Sequence, residues 1–394
     1  MKHRILMAGS VPLAAPWNGA DKNFARILVR RDLRNRFIVH TSLDEPWEMP
    51  SRVTAIRSRH VGAMPTTEQR LRGFGYMLQH SGAADLLHIV ASLHSPSSWI
   101  GPALRAWSNL RQRPIVHTLP SVGDVPIARR NFAGDATVVV SEHTRRRLEY
   151  HGVPNVYRVH PPIEIEDLLP RRPGASADLA SELELGACAV LYPAHYGKKS
   201  GIREMVQAFA GLRGFSGTQG AVLVLACRSH PWQDPETEKR KVLQQAAELG
   251  ISDRVRILGY VVDMPALISA CSVTVLVPGK LNAKMDLPLV ILESLALGRP
   301  VIVGDRAPIS EALLGGGGYM VPYGDVSALT RGLARLLANA RLRETLAAGG
   351  RAAVLERCDT ARVVERYQWI YEHVIKSNSD RGLQGQGERR NGAF

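Results

Sequence analysis

Two carboxylates seven residues apart, Asp286 and Glu293, carry the clearest chemical signal in the sequence. Asp286 is predicted to cap a helix over about residues 287–297, because Pro288 suits a first helical turn and Gly-Arg-Pro ends the pattern. At about 100° per residue, this spacing puts both acids within roughly 20° on one helix face and about 10 Å apart. A helix N-terminus can bind a diphosphate and carboxylates can bind sugar hydroxyls, so the stretch suits a nucleotide sugar. The alternative is that Asp286 only caps the helix and Glu293 only faces water.

Apolar runs rich in β-branched residues alternate with helical patterns in both halves of the chain. Strands are predicted at about 4–10, 37–41, 86–90, 114–118 and 136–140 in the first half, and at about 188–193, 221–227, 254–258, 273–277 and 301–304 in the second. This alternation indicates a doubly wound parallel sheet in each half. Ligands of such sheets bind beyond the carboxyl ends of the strands, so we expect a site in a cleft between two facing domains. The loops that follow strands are 9–22, 120–125, 194–201, 228–234, 278–286 and 305–311.

The length of 394 residues is typical of about two domains. Residues 1–163 and 188–360 are each predicted to form a Rossmann-like domain, joined by a linker at 164–187 where acidic and small residues replace the strand pattern. Residues 361–376 are predicted to be a closing helix that packs back on the N-terminal domain. The polar residues 377–394 are predicted to be a disordered tail.

Composition and motif searches disfavour several classes of function. No apolar run reaches the length of about 20 residues that a membrane-spanning helix needs, and the four cysteines lack Cys-x-x-Cys spacing. No Gly-x-Gly-x-x-Gly follows the first strand, which disfavours an oxidoreductase. Neither an Asp-x-Asp pair nor a cluster of His, Cys and carboxylates predicts a metal site. We therefore expect a cytoplasmic protein without a dedicated metal site.

The net charge of +14 is concentrated in the first part of the chain. Residues 1–147 hold 21 Lys and Arg against 10 Asp and Glu, an excess of +11 that is nearly all arginine. Segment 51–80 mixes arginines with apolar side chains, as a basic amphipathic face for a membrane does. The excess predicts an anionic partner, either a phosphorylated or lipid-linked acceptor or an anionic membrane surface; a solvated arginine surface is the alternative. Nucleic acid is not expected, because only charge supports it.

Four segments of the second half follow one another in a specific order. They are Leu191-Tyr-Pro-Ala-His-Tyr-Gly-Lys-Lys-Ser-Gly-Ile, Arg254-Val-Arg-Ile-Leu-Gly-Tyr-Val, Leu292-Glu-Ser-Leu-Ala-Leu-Gly-Arg-Pro-Val-Ile and Gly318-Tyr-Met-Val-Pro-Tyr-Gly-Asp. Over about residues 1–375, the chain resembles the retaining glycosyltransferases of the GT-B fold, family 4 type (glycosyl transferases group 1).

The resemblance implies an α/β fold of the GT-B type, with two Rossmann-like doubly wound parallel-sheet domains facing across a cleft. The N-terminal domain would bind the acceptor and the C-terminal domain the donor. The implied reaction moves a sugar from a nucleotide diphosphate sugar to an acceptor hydroxyl with retention of anomeric configuration. It needs no metal and no cofactor beyond the donor substrate.

The resemblance also implies roles for particular residues. Glu293 matches the glutamate that binds the nucleotide ribose hydroxyls. The first glutamate of the family falls at Met285, so the neighbouring Asp286 is the expected stand-in for handling the transferred sugar. Lys198 or Lys199 is expected to neutralise the donor diphosphate, because the leaving group needs fixed positive charge.

The expected phosphate site departs from the family pattern. The lysine of the family aligns with Ser200 and its arginine with His195, although neutral imidazole is a poor substitute for guanidinium. The family histidine that follows the strand at Ile115–Leu119 falls at Pro120, and His117 cannot replace it, because an odd offset in a strand points to the opposite face. The set of candidates for nucleotide-sugar binding is completed by Leu287, Pro288, Val261, Gly19, Lys22 and Ser121.

Two alternative functions are compatible with the same fold. A nucleotide-sugar epimerase would need an acid and a base poised over the sugar. A non-catalytic sugar-nucleotide-binding protein would explain why the first glutamate, the arginine and the histidine of the family are all replaced. For the transferase, we expect a cytoplasmic location, peripheral on the inner face of the membrane where the acceptor is lipid-linked.

Overall fold

The computed structural model describes residues 2–391 apart from 10–12, 14–19, 43–48, 59–74, 76–78, 93–99, 124–125, 170–171, 198, 230–233, 280–284 and 314. The chain divides into two compact units. The N-terminal unit consists of Met1–Pro162, Ala283–Asp286 and Cys358–Phe394, and the C-terminal unit of Ile163–Asn282 and Leu287–Arg357. Among the described residues, no helix is both long enough and apolar enough to cross a membrane.

A seven-stranded parallel sheet forms the centre of the N-terminal unit, in the order β3-β2-β1-β4-β5-β6-β7. Its strands are β1 (Arg4–Gly9), β2 (Arg36–Ser42), β3 (Val53–Ser58), β4 (Leu86–Val90), β5 (Ile115–Leu119), β6 (Ala136–Val139) and β7 (Val156–Arg158). The unit also contains helices α1 (Ala20–Arg31), α2 (Ile100–Arg111) and α3 (Glu142–Tyr150), with 3-10 turns at Ser81–Ala83 and Arg129–Asn131. The central strands β4 and β5 are buried at every position, as parallel strands covered on both faces require.

A six-stranded parallel sheet forms the centre of the C-terminal unit, in the order β10-β9-β8-β11-β12-β13. Its strands are β8 (Ala189–His195), β9 (Val222–Arg228), β10 (Val255–Leu258), β11 (Val273–Leu276), β12 (Val301–Gly304) and β13 (Gly318–Val321). Its helices are α4 (Ala175–Glu182), α5 (Ile202–Ala210), α6 (Pro235–Glu248), α7 (Met264–Ala270), α8 (Leu289–Ala296), α9 (Val326–Ala338) and α10 (Ala340–Arg357), with 3-10 turns at Glu166–Leu168, Gly211–Gly214, Ser252–Arg254 and Ile309–Leu313. The predicted α/β fold, with a parallel sheet in each half, is confirmed.

Helix α11 (Thr360–Asn391) comes from the far end of the chain and packs in the N-terminal unit. The Tyr367 hydroxyl is hydrogen-bonded to Thr118 Oγ1 at 2.8 Å, and the Tyr371 hydroxyl to His88 Nδ1 at 2.8 Å. His88 Nε2 is 2.7 Å from Thr118 Oγ1, which closes a buried polar network. Burial lowers the pKa of His88 to about 3, so its imidazole stays neutral. The helix continues over residues for which the sequence predicts a disordered tail, and no proline interrupts it.

Candidate functional site

The carboxyl edge of the C-terminal sheet presents two basic side chains from neighbouring strands. β8 ends at His195 and β9 at Arg228, and the ladder pairs these two residues directly. The amide of Tyr196 donates to the Arg228 carbonyl at 3.0 Å, which continues the pairing by one residue. His195 and Arg228 are both exposed. Because the strand order turns back at β8, with β9 on one side and β11 on the other, this edge is where open α/β sheets bind ligands.

The turn between β8 and α5 is held in one conformation. The Tyr192 hydroxyl donates to the Ser200 carbonyl at 2.7 Å. Gly201 has a φ of 81°, and a Cβ at this position would overlap the Tyr192 hydroxyl, so only glycine fits. The Lys199 carbonyl accepts a hydrogen bond from the Gly279 amide at 2.9 Å. The turn therefore holds the exposed Lys199 beside the end of β11.

Helix α8 begins later than the sequence predicted, and Asp286 does not cap it. The helix spans Leu289–Ala296, and its N-cap residue is Pro288, with φ −59° and ψ 123° and no side-chain cap. The predicted cap was wrong because a residue before proline is disfavoured in helical conformation, so Leu287 cannot start the helix. The two acids therefore do not share one helix face: Asp286 belongs to the N-terminal unit and Glu293 to the C-terminal unit. Leu287 and Pro288 are both buried.

Glu293 lies on α8 as a half-buried carboxyl group. Its neighbour Ser294 donates through Oγ to Thr274 Oγ1 of β11 at 2.9 Å, which anchors the helix on the sheet. Burial raises the pKa of Glu293 to about 7, and the positive charge of Arg228 acts in the opposite direction. An ionised carboxylate accepts hydrogen bonds from hydroxyls, and a protonated one can also donate. The residue is therefore suited to bind a pair of sugar hydroxyls beside a basic sheet edge.

A cavity of about 380 Å³ lies at the carboxyl ends of β8, β9 and β10. Its charged lining residues are Arg228 together with Lys239 and Glu236 of α6. Tyr196 and Tyr260 contribute aromatic walls. The volume lies within the range of about 300–1,000 Å³ that is usual for small-molecule sites. The basic edge therefore opens into a space of suitable size for a ligand.

Asp286 lies in the N-terminal unit, where its side chain is 2% exposed. Its Oδ2 accepts hydrogen bonds from Ser141 Oγ at 2.6 Å and from Thr144 Oγ1 at 2.5 Å. Ser141 is the N-cap of α3 and also accepts from the Thr144 amide at 3.1 Å. The Asp286 amide donates to the Pro120 carbonyl at 2.8 Å. Two positions that depart from the family pattern, Pro120 and Asp286, are therefore in contact.

The other predicted residues occupy separate places. Val261 follows β10 and packs, half-buried, against apolar side chains of the C-terminal unit. Lys22 lies in the first turn of α1 and is half-buried. Ser121 is buried after β5, where its Oγ accepts from the amide two residues further on at 3.3 Å. Lys198 and Gly19 lie outside the described residues, as does most of the basic segment 51–80.

His117 is buried on β5 and does not face the same way as its neighbour Thr118. Its Nε2 is 3.1 Å from the Ala91 carbonyl, and burial lowers its pKa to about 4. Thr118 instead contacts Tyr367 of α11. His117 is therefore a neutral side chain of the sheet interior.

Three residues around Glu293 and Asp286 were not singled out from the sequence. Arg228 carries one available signal, since it is the first charged residue after the apolar run Val222–Cys227. Ser141 and Thr144 carry a local signal for an N-cap, but nothing in the sequence indicates their bond to Asp286. Within the described part of the chain, no group of three or more His, Cys, Asp or Glu side chains is arranged to hold a metal ion.

Comparisons with known proteins point to one family of enzymes. Residues 187–339 match the family model described as Glycosyl transferases group 1. The chain is 33% identical over 131 residues to the phosphatidyl-myo-inositol mannosyltransferase of Mycobacterium leprae, covering 33% of this chain and 34% of that protein. It is 26% identical over 192 residues to the N-acetyl-alpha-D-glucosaminyl L-malate synthase of Bacillus anthracis, covering 48% and 47%. The matched part of the chain thus spans less than half the length of these curated relatives.

The likeness to solved structures extends over nearly the whole chain. The crystal structure of Anabaena HepE in complex with UDP and glucose matches with a TM-score of 0.71 at 16% identity, covering 94% of this chain and 100% of that one. At this identity the match establishes the fold. Residues 187–339 are therefore similar to the group 1 glycosyl transferases, and the chain has the GT-B fold.

Proposed function

We propose that the protein moves a sugar from a nucleotide diphosphate sugar to an acceptor hydroxyl, with retention of anomeric configuration and without a metal ion. The observation that supports this most directly is Glu293, a half-buried carboxyl group beside the basic carboxyl edge of the C-terminal sheet. A carboxylate suits the two ribose hydroxyls of a nucleotide, and basic groups suit its phosphates. The Anabaena protein of the same fold was crystallised with UDP and glucose, which fits a donor of this class.

The chemistry requires positive charge more than it requires a reacting side chain. In the proposed step, the bond between the anomeric carbon and the diphosphate oxygen breaks while the acceptor oxygen bonds to the anomeric carbon on the same face. The departing phosphate oxygen takes the proton of the acceptor hydroxyl. Basic groups such as Lys199 and His195 stabilise the charge that develops on the diphosphate. The presence of Pro120 where the family has a histidine is compatible with this step, because no side chain must act as the base.

Asp286 is proposed to position its loop and not to hold the sugar directly. Its buried carboxylate accepts from the Ser141 and Thr144 hydroxyls, and its amide donates to Pro120. These contacts favour a positioning role over the role of stand-in for the first glutamate that the sequence predicted.

Ligand binding and turnover test the proposed function. A thermal-shift screen and calorimetry would use UDP, GDP and ADP with their sugars, followed by assay of nucleoside diphosphate release and by NMR of the product anomer in the presence of EDTA. Glu293→Ala should weaken nucleoside diphosphate binding at least about 10-fold, because the ribose loses its acceptor. The exposed Glu344→Ala on α10 is the matched control. Unchanged affinity of Glu293→Ala would refute the ribose assignment.

Three other outcomes would replace the proposed function. Absence of binding to every nucleotide would exclude a nucleotide-sugar enzyme. Interconversion of the donor sugar without release of nucleoside diphosphate would identify an epimerase. Tight donor binding with neither transfer nor slow donor hydrolysis would identify a binding protein.

A phosphorylated or lipid-linked acceptor, with contact to an anionic membrane, is proposed from the arginine excess of the N-terminal half. Several of these arginines have structural partners: Arg52 donates to the Val29 carbonyl at 2.8 Å, and Arg145 pairs with Glu142 and Glu149. Vesicle sedimentation with and without anionic lipid tests the membrane contact. Equal recovery in the two pellets would exclude it.

A further inference from the structure

We infer that Arg228, at the end of β9, binds the diphosphate of the donor and stabilises it as the leaving group. This role rests on the proposed function and makes it more specific. The family pattern places an arginine on β8, at the position that His195 occupies in this chain. The proposal places the main positive charge on the neighbouring strand β9 instead.

The backbone of Arg228 is fixed by the sheet. The residue pairs with His195 in the β8–β9 ladder, and its carbonyl accepts from the Tyr196 amide at 3.0 Å. Two residues earlier, β9 also pairs with β10 on its other side. The Cα of Arg228 is therefore a ladder position and not a loop position. Charge that is in place before the reaction stabilises a developing negative charge without reorganisation.

The side chain of Arg228 reaches the cavity at the carboxyl ends of the strands. Arg228 and Lys239 line this cavity as cations and Glu236 as the acid, so positive charge predominates. Such a balance favours an anionic ligand. The volume of about 380 Å³ leaves room for a diphosphate and adjoining groups.

Arg228 is also near enough to Glu293 for its charge to act on that carboxyl group. The positive charge of Arg228 opposes the rise that burial causes in the pKa of Glu293. The same charge would act on the phosphates of a nucleotide whose ribose is bound at Glu293.

The chemistry of the side chains distinguishes Arg228 from the other basic groups at this edge. A guanidinium stays charged at every physiological pH and offers paired donors that match phosphate oxygens. An imidazole, as at His195, is not charged over the whole physiological pH range, so it does not guarantee a charge. Lys199 is a point charge on a turn.

Calorimetry with a nucleoside, its diphosphate and a nucleotide sugar tests the assignment. Arg228→Gln should lower the affinity for the diphosphate and the nucleotide sugar by about 10- to 100-fold, the range expected for a lost charged hydrogen bond. Its affinity for the nucleoside should stay unchanged, since no phosphate is present. The loss should shrink as salt is raised. Arg228→Lys, which keeps the charge without the paired donors, should show a smaller loss.

Two further variants make the result decisive. Lys241→Gln removes an exposed positive charge on α6 and should leave all three affinities unchanged. Arg228→Met is a second neutral variant, and circular dichroism checks that each variant is folded. Wild-type affinity for the diphosphate in a folded neutral variant, or an equal loss for nucleoside and diphosphate, would overturn the role of Arg228 and leave the proposed function standing. A wild-type protein that binds no nucleotide would overturn both.

Discussion

Removal of the Asp286 carboxylate should destabilise the N-terminal unit. The carboxylate is buried and accepts two hydroxyl hydrogen bonds, from Ser141 at 2.6 Å and from Thr144 at 2.5 Å. A hydrogen bond to a charged group contributes about 1.5–3 kcal/mol to stability. Because the hydroxyls can turn toward other acceptors, we expect Asp286→Ala to lower the free energy of unfolding by about 3 kcal/mol. Asp286→Asn keeps an oxygen acceptor and should lower the free energy of unfolding by about half as much.

Urea unfolding followed by tryptophan fluorescence measures this effect in the relevant unit, since five of the six tryptophans lie in the N-terminal unit. Thr144→Val removes one of the two hydroxyls with little change in volume. When Asp286→Ala is already present, Thr144→Val should leave the free energy of unfolding almost unchanged. The double-mutant cycle then gives a coupling energy of about 1–2 kcal/mol. A wild-type urea midpoint for Asp286→Asn, combined with loss of turnover, would show instead that Asp286 handles the sugar. The positioning role would then be wrong.

Three other substitutions test separate parts of the structure. Because the pKa of Glu293 is raised from 4.5 to about 7, its contribution to stability is complete below about pH 4.5 and lost as the pH rises through 7. Glu293→Gln should therefore raise the thermal midpoint above pH 7 but not near pH 4.5, whereas the exposed Glu344→Gln should show no such pH dependence. Gly201→Ala should lower the free energy of unfolding by more than the about 1–2 kcal/mol that a left-handed backbone costs a residue with a side chain, because its Cβ overlaps a tyrosine hydroxyl. Gly298→Ala, with φ 70° and open space around the Cβ, measures the backbone contribution alone in urea unfolding. Tyr367→Phe should lower the stability of the N-terminal unit by about 1–2 kcal/mol, because its hydroxyl is bonded to β5, and a wild-type urea midpoint would contradict this.

The fold could be predicted from local composition. A strand of a parallel sheet that is covered on both faces reads as an uninterrupted apolar run, as Leu86–Val90 does, and all five of its residues are buried. The alternation of such runs with helical patterns is enough to indicate two doubly wound sheets. These features depend only on neighbouring residues, so one sequence suffices to find them.

The role of Asp286 could not be predicted in the same way. An aspartate shortly before an apolar helical pattern, with a proline two residues later, satisfies the local rules for an N-cap. Its actual partners, Ser141 and Thr144, are 145 and 142 residues away in the sequence. Local spacing contains no information about such a contact. The face that Asp286 was predicted to share with Glu293 depended on the same local assumption.

The order of the strands brings Arg228 to the predicted phosphate site, although comparison with the family pattern does not indicate this residue. Alignment places the expected arginine at His195, and only the pairing of β8 with β9 shows that Arg228 ends beside it. Neighbouring strands lie about 4.8 Å apart, a distance that an arginine side chain can span. Under the proposed assignment, a guanidinium on the adjacent strand binds the same phosphates that the family pattern gives to an arginine at His195. The ladder fixes the backbone of both strand ends, so an arginine on either strand starts from a rigid position, and its paired donors match phosphate oxygens as a lysine cannot.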